Sequence, residues 1–419
     1  MPWKVSSVME EKLRFVFEYE RKEFPMIELC SRFGISRETG YVWLRRYRLS
    51  GLEGLEALKR APWRHPNQTP SATEQAVLEL RQAHMRWGPR KLRKILTGDQ
   101  PGRSWPASST IGEIVKRAGL VVAHKKRRRT DPYSQPLAHA VESNRVWCAD
   151  FKGWFKAGDG ARIDPLTISD AHSRYLLRCQ AVEKTDTERV RAIFEAAFRE
   201  YGLPQAIRTD NGAPFASPAP RGLSRLAVWW IKLGIEPERI EAGHPEQNGR
   251  HERMHRTLKQ ELRPAPDWRG RQRELERFRQ EYNRVRPHQA LDMQTPAAVY
   301  EPSARPYPNR EPEVEYPDTM QVLRVKSHGH FRWNKHDVFL SEVLWGEPVG
   351  LLPVGEDCFV VYFAHLPLAH FDGRKLKVTP LAKAKSTTTQ TGTGSAAPAP
   401  AEKQKPFQLE KKLSGMCPV

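Results

Sequence analysis

Apolar positions return at helical intervals over residues 7–50. Leu13, Phe15, Val16 and Tyr19 make one stripe, and Met26, Ile27, Cys30 and Phe33 make a second. In Phe33-Gly34-Ile35-Ser36, Gly34 can take the left-handed conformation that closes one helix and Ser36 can cap the next. That next helix, Arg37 to Leu49, is expected to bury Val42 with Trp43 or Leu44 and to turn Arg37, Arg45, Arg46 and Arg48 outward. The pattern fits a helix-turn-helix unit that reads a major groove, or a plain helical hairpin with a solvated basic face. A second unit follows. Ser71 to Met85 is helical, Pro89 opens a helix that runs to Leu96, and Ser108 or Ser109 can cap Thr110 to Ala118 ahead of Gly119.

From Arg145 the period changes. Arg145 to Phe155, Arg162 to Ser169 and Arg174 to Val182 read as strands, and Thr187 to Tyr201 returns to helical spacing with Val190, Phe194, Ala197 and Phe198. A strand Gln205 to Thr209, a helix Leu223 to Leu233, a strand Pro237 to Glu241 and a helix His251 to Leu262 complete a mixed sheet with helices on its faces. Residues 271–283 add a helix on Leu275, Phe278 and Tyr282, and Arg286, Pro287 and His288 after it read as packing residues. Short β segments from Thr319 to Phe363 predict a small β-barrel, and the run from Lys383 is too poor in aliphatic residues to offset its conformational entropy. The expected chain is multidomain: helix-turn-helix regions at 1–61 and 71–130, an α/β core at 140–300, a small β-barrel C-terminal domain at 315–378 and a disordered tail at 383–419.

Charge adds a partner. Lys and Arg total 69 against 49 Asp and Glu, a net +20, and the first 130 residues hold 27 of the former against 13 of the latter. Such a field suits a polyanion, so double-stranded DNA is the expected partner. Lys125, Lys126, Arg127, Arg128 and Arg129 stand in one run that can track a DNA backbone or serve as a solvated linker. Five scattered cysteines form neither a disulfide framework nor a zinc pair, which fits a reducing cytoplasm. No apolar stretch approaches the ~18 to 20 residues that span a bilayer, so no membrane partner is expected. No phosphate-binding Gly-rich loop is found, and no nucleotide cofactor is expected.

Three acids sit at the ends of regular elements. Asp150 lies in the apolar strand Val146-Trp147-Cys148-Ala149-Asp150-Phe151, where a carboxylate needs a partner. Asp210 follows the strand Ala206-Ile207-Arg208-Thr209 and begins Asp-Asn-Gly, and Glu252 starts a helix on which His255, Arg256 and Lys259 form a basic row. Singly, each has an ordinary explanation as a strand, turn or helix-start residue. Together, oxygen-only carboxylates suit Mg²⁺ or Mn²⁺, and two such ions about 3.5 to 4 Å apart can serve an in-line phosphoryl displacement. Asp170, between two strands, reads as turn chemistry.

The strand WCADFKGWF, the turn TDNGAPF and the helix HPEQNGRHERMHRTLKQE, in that order, resemble the catalytic core of the DDE transposases and retroviral-type integrases. YNRVRPHQALDMQTPAAVY resembles the segment that follows that core in bacterial insertion-sequence transposases, so the likeness covers about residues 7 to 300. The resemblance implies a ribonuclease-H-like fold whose two Asp and one Glu hold two divalent metals, with Asp150 and Asp210 as the aspartates. For the glutamate, the family's usual spacing favours Glu246, whereas its Pro-x-x-x-Gly turn before the helix, here Pro245 to Gly249, favours Glu252. We take Glu252; a loop at residues 214–222 is a plausible home for the extra length. The resemblance further implies binding to element ends and target DNA, a homo-oligomer on DNA, cleavage followed by strand transfer, and a cytoplasmic, nucleoid-associated location. The rival is a catalytically inactive regulator that binds the same ends. DNA contacts are assigned to Arg37, Arg45, Arg46, Arg48, Lys125 to Arg129, His255, Arg256 and Lys259.

Overall fold

The computed structural model describes residues 7–57, 68–121, 137–241 and 244–381. The basic run Lys125 to Arg129 and the tail from residue 383 lie outside them. The chain divides into two units, Met1–Glu79 and Leu80–Val419, the division falling inside a helix.

In the first unit, α1 (Val8–Glu20) begins with a capping box in which Ser7 and Glu10 bond each other's backbone N–H groups. α2 (Met26–Arg32) ends at Gly34, whose φ of 62° bears out the expected left-handed turn. Ser36 then caps α3 (Arg37–Ser50), accepting from the Thr39 N–H at 3.1 Å. The helices close on Phe15, Val16, Leu29, Cys30, Leu44 and Leu55. Gly40 lets α3 approach this closely, since a Cβ there would lie 2.8 Å from Cys30 Sγ. The inward stripe of α3 is Gly40 and Leu44; Val42, expected inside, points away from it and is exposed.

α4 (Ser71–Ala83) holds the division between the units. In the second unit, α5 (Pro89–Asp99) and α6 (Ser108–Arg117) bury Leu92, Leu96, Ile111, Ile114 and Val115. The expected serine cap on α6 is absent: Ala107 occupies the cap position, because the helix starts at Ser108 itself. Gly119 closes α6 with φ 69°. Arg81 donates to the carbonyls of Trp87 and Leu120 and so ties the ends of this helical segment together.

The α/β core is built on a sheet of β1 (Val146–Phe151), β2 (Phe155–Lys156), β3 (Arg162–Asp170), β4 (Leu176–Val182), β5 (Ala206–Thr209) and β6 (Glu236–Arg239). β3 pairs antiparallel with β1, β2 and β4, while β1, β5 and β6 run parallel. α7 (Thr187–Tyr201) makes the crossover from β4 to β5, and α8 (Arg225–Lys232) the crossover from β5 to β6. α7 and α8 cover one face, packing Phe194, Phe198, Trp229 and Trp230 on Trp147, Ala149, Leu166 and Ile168. α9 (Gly249–Glu261) and α10 (Trp268–Gln280) cover the other face with Met254, Leu258, Leu275 and Phe278. Strand alternation therefore leaves Cys148, Asp150, Thr167 and Ser169 on the α9 side, opposite in parity to Trp147, Ala149, Leu166 and Ile168.

After α10 a π turn carries Tyr282 into the same core, and Arg286 pairs with Glu261 while Tyr282 and His288 meet edge to face. A short α11 (Pro296–Val299) precedes the last region. There, β7 (Gln321–Arg324), β8 (His330–Trp333), β9 (His336–Phe339), β10 (Pro348–Gly355), β11 (Cys358–Phe363), β12 (Leu366–Asp372) and β13 (Lys377–Pro380) do not form the closed barrel that the pattern predicts. β8 and β9 turn back on each other at Asn334 and Lys335, both of positive φ, and pair only together. The other strands make an open sheet, β13-β12-β11-β10-β7. Its core is shared with Leu223, Ala227, Val228 and Ile231, so α8 serves the sheet on one side and this β region on the other.

Candidate active site

Parallel pairing sets the first two acids side by side. β1 and β5 pair Val146 with Ala206, Trp147 with Ile207 and Cys148 with Arg208, so two steps further the same register brings Asp150 beside Asp210. Neighbouring strands lie about 4.8 Å apart. The Asp210 carboxylate accepts from the Gly212 N–H at 3.1 Å, holding the Asp-Asn-Gly turn at the carboxyl end of β5. Glu252 stands exposed in the first turn of α9. Its charge reaches Asp150: burial foremost, then Asp210 and Glu252, push the Asp150 carboxyl up to about 7, against a lowering bond from the Phe151 N–H and the charge of Lys152. Among the described residues no Lys or Arg is ion-paired with any of these three acids. The side chain of Glu246 lies outside the described residues.

The Asp150 carboxylate was expected to need a partner; what lies beside it is a buried polar group that bonds the Asp150 backbone carbonyl and leaves the carboxylate 3.8 Å from a neutral ring. The inner stripe of α9 holds His251 and His255. Both ring Nε2 atoms meet the Thr167 hydroxyl, at 2.7 and 2.6 Å, and that hydroxyl also reaches the Asp150 carbonyl at 3.0 Å. Ser169 Oγ lies 3.0 Å from His251 Nδ1, and His255 Nδ1 faces Asp150 Oδ2 at 3.8 Å. Burial holds His251 down at about 3 and His255 at about 2, with His251 and Lys152 adding to the effect on His255, so both rings are neutral. Ligand atoms of Asp150, His251 and His255 lie within 4.8 Å of one another. The three acids expected to cluster are coupled electrostatically, but the tightest ligand set among the described residues is this Asp-His-His group.

His255 is therefore corrected. Expected on an outward basic row, it is 6% exposed, because the stripe of α9 that packs on the sheet passes through His251, Met254, His255 and Leu258. Arg256 and Lys259 remain exposed on the outer side with Glu252. In the first unit, Arg37 and Arg45 are exposed. Arg46 donates to the Glu56 carbonyl and lies over Trp43, and Arg48 pairs with Glu20, so those two have internal partners. Sequence reading missed His251, Thr167 and Ser169. The available signal was a pair of histidines one helical turn apart, opposite two hydroxyls of equal parity in an apolar strand.

Asp170 behaves as read. It accepts from the backbone N–H groups of Asn144 and Ser173 and from the Ser173 hydroxyl, fixing the β3 to β4 turn. No helix among the described residues is long and apolar enough to cross a membrane.

Residues 140–245 and 233–296 match the integrase core domain, residues 11–62 a helix-turn-helix domain and residues 39–115 a homeodomain-like domain. The chain is 29% identical over 265 residues to an uncharacterized 39.2 kDa protein of insertion element IS476 from Xanthomonas euvesicatoria, covering 60% of this chain and 70% of that protein. It is 28% identical over 166 residues to the transposase InsD of insertion element IS2 from Escherichia coli, covering 37% of this chain and 52% of that one. Among solved structures, the HTLV-2 integrase catalytic core domain in complex with magnesium aligns at 16% identity and a TM-score of 0.31, over 38% of this chain and 99% of that one.

Proposed function

Because an integrase core domain behind helix-turn-helix segments makes this chain a DNA transposase/integrase enzyme, we propose that it binds the ends of a mobile element, cleaves there and joins the freed end to target DNA. Asp150, Asp210 and Glu252 are its catalytic acids. The observation that supports this reading is the upward push on Asp150 from burial and two neighbouring carboxylates, which outweighs the lowering by the Phe151 N–H and Lys152, with no Lys or Arg ion-paired to the three acids among the described residues. Such a site is deficient in positive charge, and the donors fit a divalent cation such as Mg²⁺ or Mn²⁺, with two ions the expected number. When bound, the ions supply activation of the attacking hydroxyl and neutralisation of the leaving oxygen.

The chain's own residues do the rest. Asp150 gives up a proton before it can act as a ligand, so ion binding and proton release are coupled at its carboxyl. Asp210 is held by its own turn, and Glu252 stands exposed at the helix start. Arg256 and Lys259, one and two turns along the same outer face, hold phosphates beside the scissile link. Arg37 and Arg45 serve the recognition helix, and Lys125 to Arg129 follow the backbone. Element ends and target are double-stranded DNA, engaged by more than one copy of the chain.

The test is a strand-transfer assay with labelled end DNA and Mg²⁺ or Mn²⁺. Asp150→Asn, Asp210→Asn and Glu252→Gln are each expected to abolish joined product while leaving end binding intact, and Glu246→Gln to retain it. Full joining by any of the first three removes that residue from the site. Loss in Glu246→Gln with retention in Glu252→Gln transfers the role to Glu246.

A further inference from the structure

The hydrogen bonds around Thr167 determine which ring nitrogens carry protons. A hydroxyl has one proton to give, and a carbonyl oxygen can only accept, so the 3.0 Å contact to the Asp150 carbonyl uses the Thr167 proton. Both Nε2 atoms at 2.7 and 2.6 Å must then donate to the Thr167 oxygen. A neutral ring protonated at Nε2 presents a lone pair at Nδ1. In His251 that lone pair accepts from the Ser169 hydroxyl at 3.0 Å. In His255 it makes no hydrogen bond among the described residues and points at Asp150 Oδ2, 3.8 Å away.

With the Asp150 carboxyl ionised, two lone pairs face each other in a place where the side chains are only 8% and 20% exposed. The gap is too long for a hydrogen bond. It matches two ligands of a single ion, whose bonds to N and O are about 2.1 Å each. Resting on the reading of Asp150 as a metal-binding acid, we propose that His255 Nδ1 and Asp150 Oδ2 together hold one divalent ion, so that one metal position of this enzyme is a mixed nitrogen and oxygen site. His251 is a positioning residue: with both nitrogens engaged, it anchors the Thr167 hydroxyl that sets the His255 tautomer, the usual task of a group behind a metal-bound imidazole. Nitrogen ligation biases the position away from Mg²⁺, which favours oxygen alone, and toward first-row transition-metal ions, of which Mn²⁺ serves as the paramagnetic probe.

Pulsed electron paramagnetic resonance on the Mn²⁺-loaded full-length protein tests this without DNA. A directly bound nitrogen coupling is expected, changing to the ¹⁵N pattern when histidine is ¹⁵N-labelled, and this comparison needs no variant. His255→Ala is expected to abolish the coupling and weaken Mn²⁺ binding at least about tenfold. Bound Mn²⁺ with no nitrogen coupling, a coupling that survives His255→Ala, or failure to bind Mn²⁺ overturns the proposal. Strand transfer by the same preparation separates this from the broader reading. Joining by protein whose manganese carries no nitrogen removes His255 as a ligand and leaves the transposase standing; nitrogen-bound manganese without joining does the reverse.

Discussion

At Asp150 two requirements conflict: the strand buries the carboxyl, and the metal-binding role proposed for it needs it ionised. Its folded-state value, about 7, lies above the ordinary 3.8, so the folded chain holds a proton that the unfolded chain releases. This contribution to stability is complete below 3.8 and is lost as pH rises to about 7. Asn carries no such proton. The melting temperature of Asp150→Asn relative to the wild type, both without metal, is therefore expected to climb as pH is raised across that window. A flat difference in calorimetry contradicts the assigned environment. The histidines act in the opposite sense: held below 6.5 when folded, they make the fold lose stability as pH falls below 6.5 toward about 3. Thr167→Val removes the acceptor of two ring N–H groups at nearly constant shape. We expect Mn²⁺ affinity, by calorimetric titration, to drop about 10- to 100-fold, and an unchanged affinity excludes the hydroxyl from the site's support.

Among the elements, α8 has the most to hold. Trp229 and Trp230 face the sheet while Val228 and Ile231 face the C-terminal β region. Ile231→Ala is expected to cost about 2 to 5 kcal/mol and to speed amide exchange in β10 to β12. Phe194→Ala, in the other core, costs about 3 to 5 kcal/mol and speeds exchange in β1 and β5 first. If Ile231→Ala leaves β10 to β12 protected, the shared core is not what stabilises them. Long periodic elements were legible from their residues: α7 falls at Thr187–Tyr201 as its apolar spacing requires. The failures came where a partner decides. Val42 and Leu44 are equally apolar, and only the α1 and α2 surfaces choose between them. His255 lies three residues from Glu252 on the helix wheel, near enough to join its row by spacing, yet the sheet buries that side of α9. Alternating β segments likewise do not reveal whether a ladder closes, since this depends on which strands the turn at Asn334 and Lys335 joins.

Over the whole molecule, the +20 net charge suits a polyanion, and the response of the proposed DNA binding to salt is set by the phosphates it neutralises. Each phosphate neutralised contributes a slope of about −0.9 in log affinity against log salt. Arg37→Ala and Arg45→Ala in the full chain are each expected to reduce the slope for end DNA by about one unit. Unchanged slopes for both remove that helix from the interface. The order along the chain, basic helical units and then an acidic centre, was legible because charge distribution and motif order are properties of sequence. The buried Asp150, His251 and His255 group was not, because it depends on strand parity and helix rotation together. The most direct test of the account is to incubate purified protein with end DNA, a target plasmid and Mg²⁺ or Mn²⁺, and to sequence the junctions. We predict end-to-target junctions from the wild type and none from Asp150→Asn; joining by Asp150→Asn, or none by a folded wild type that binds its ends, contradicts the account.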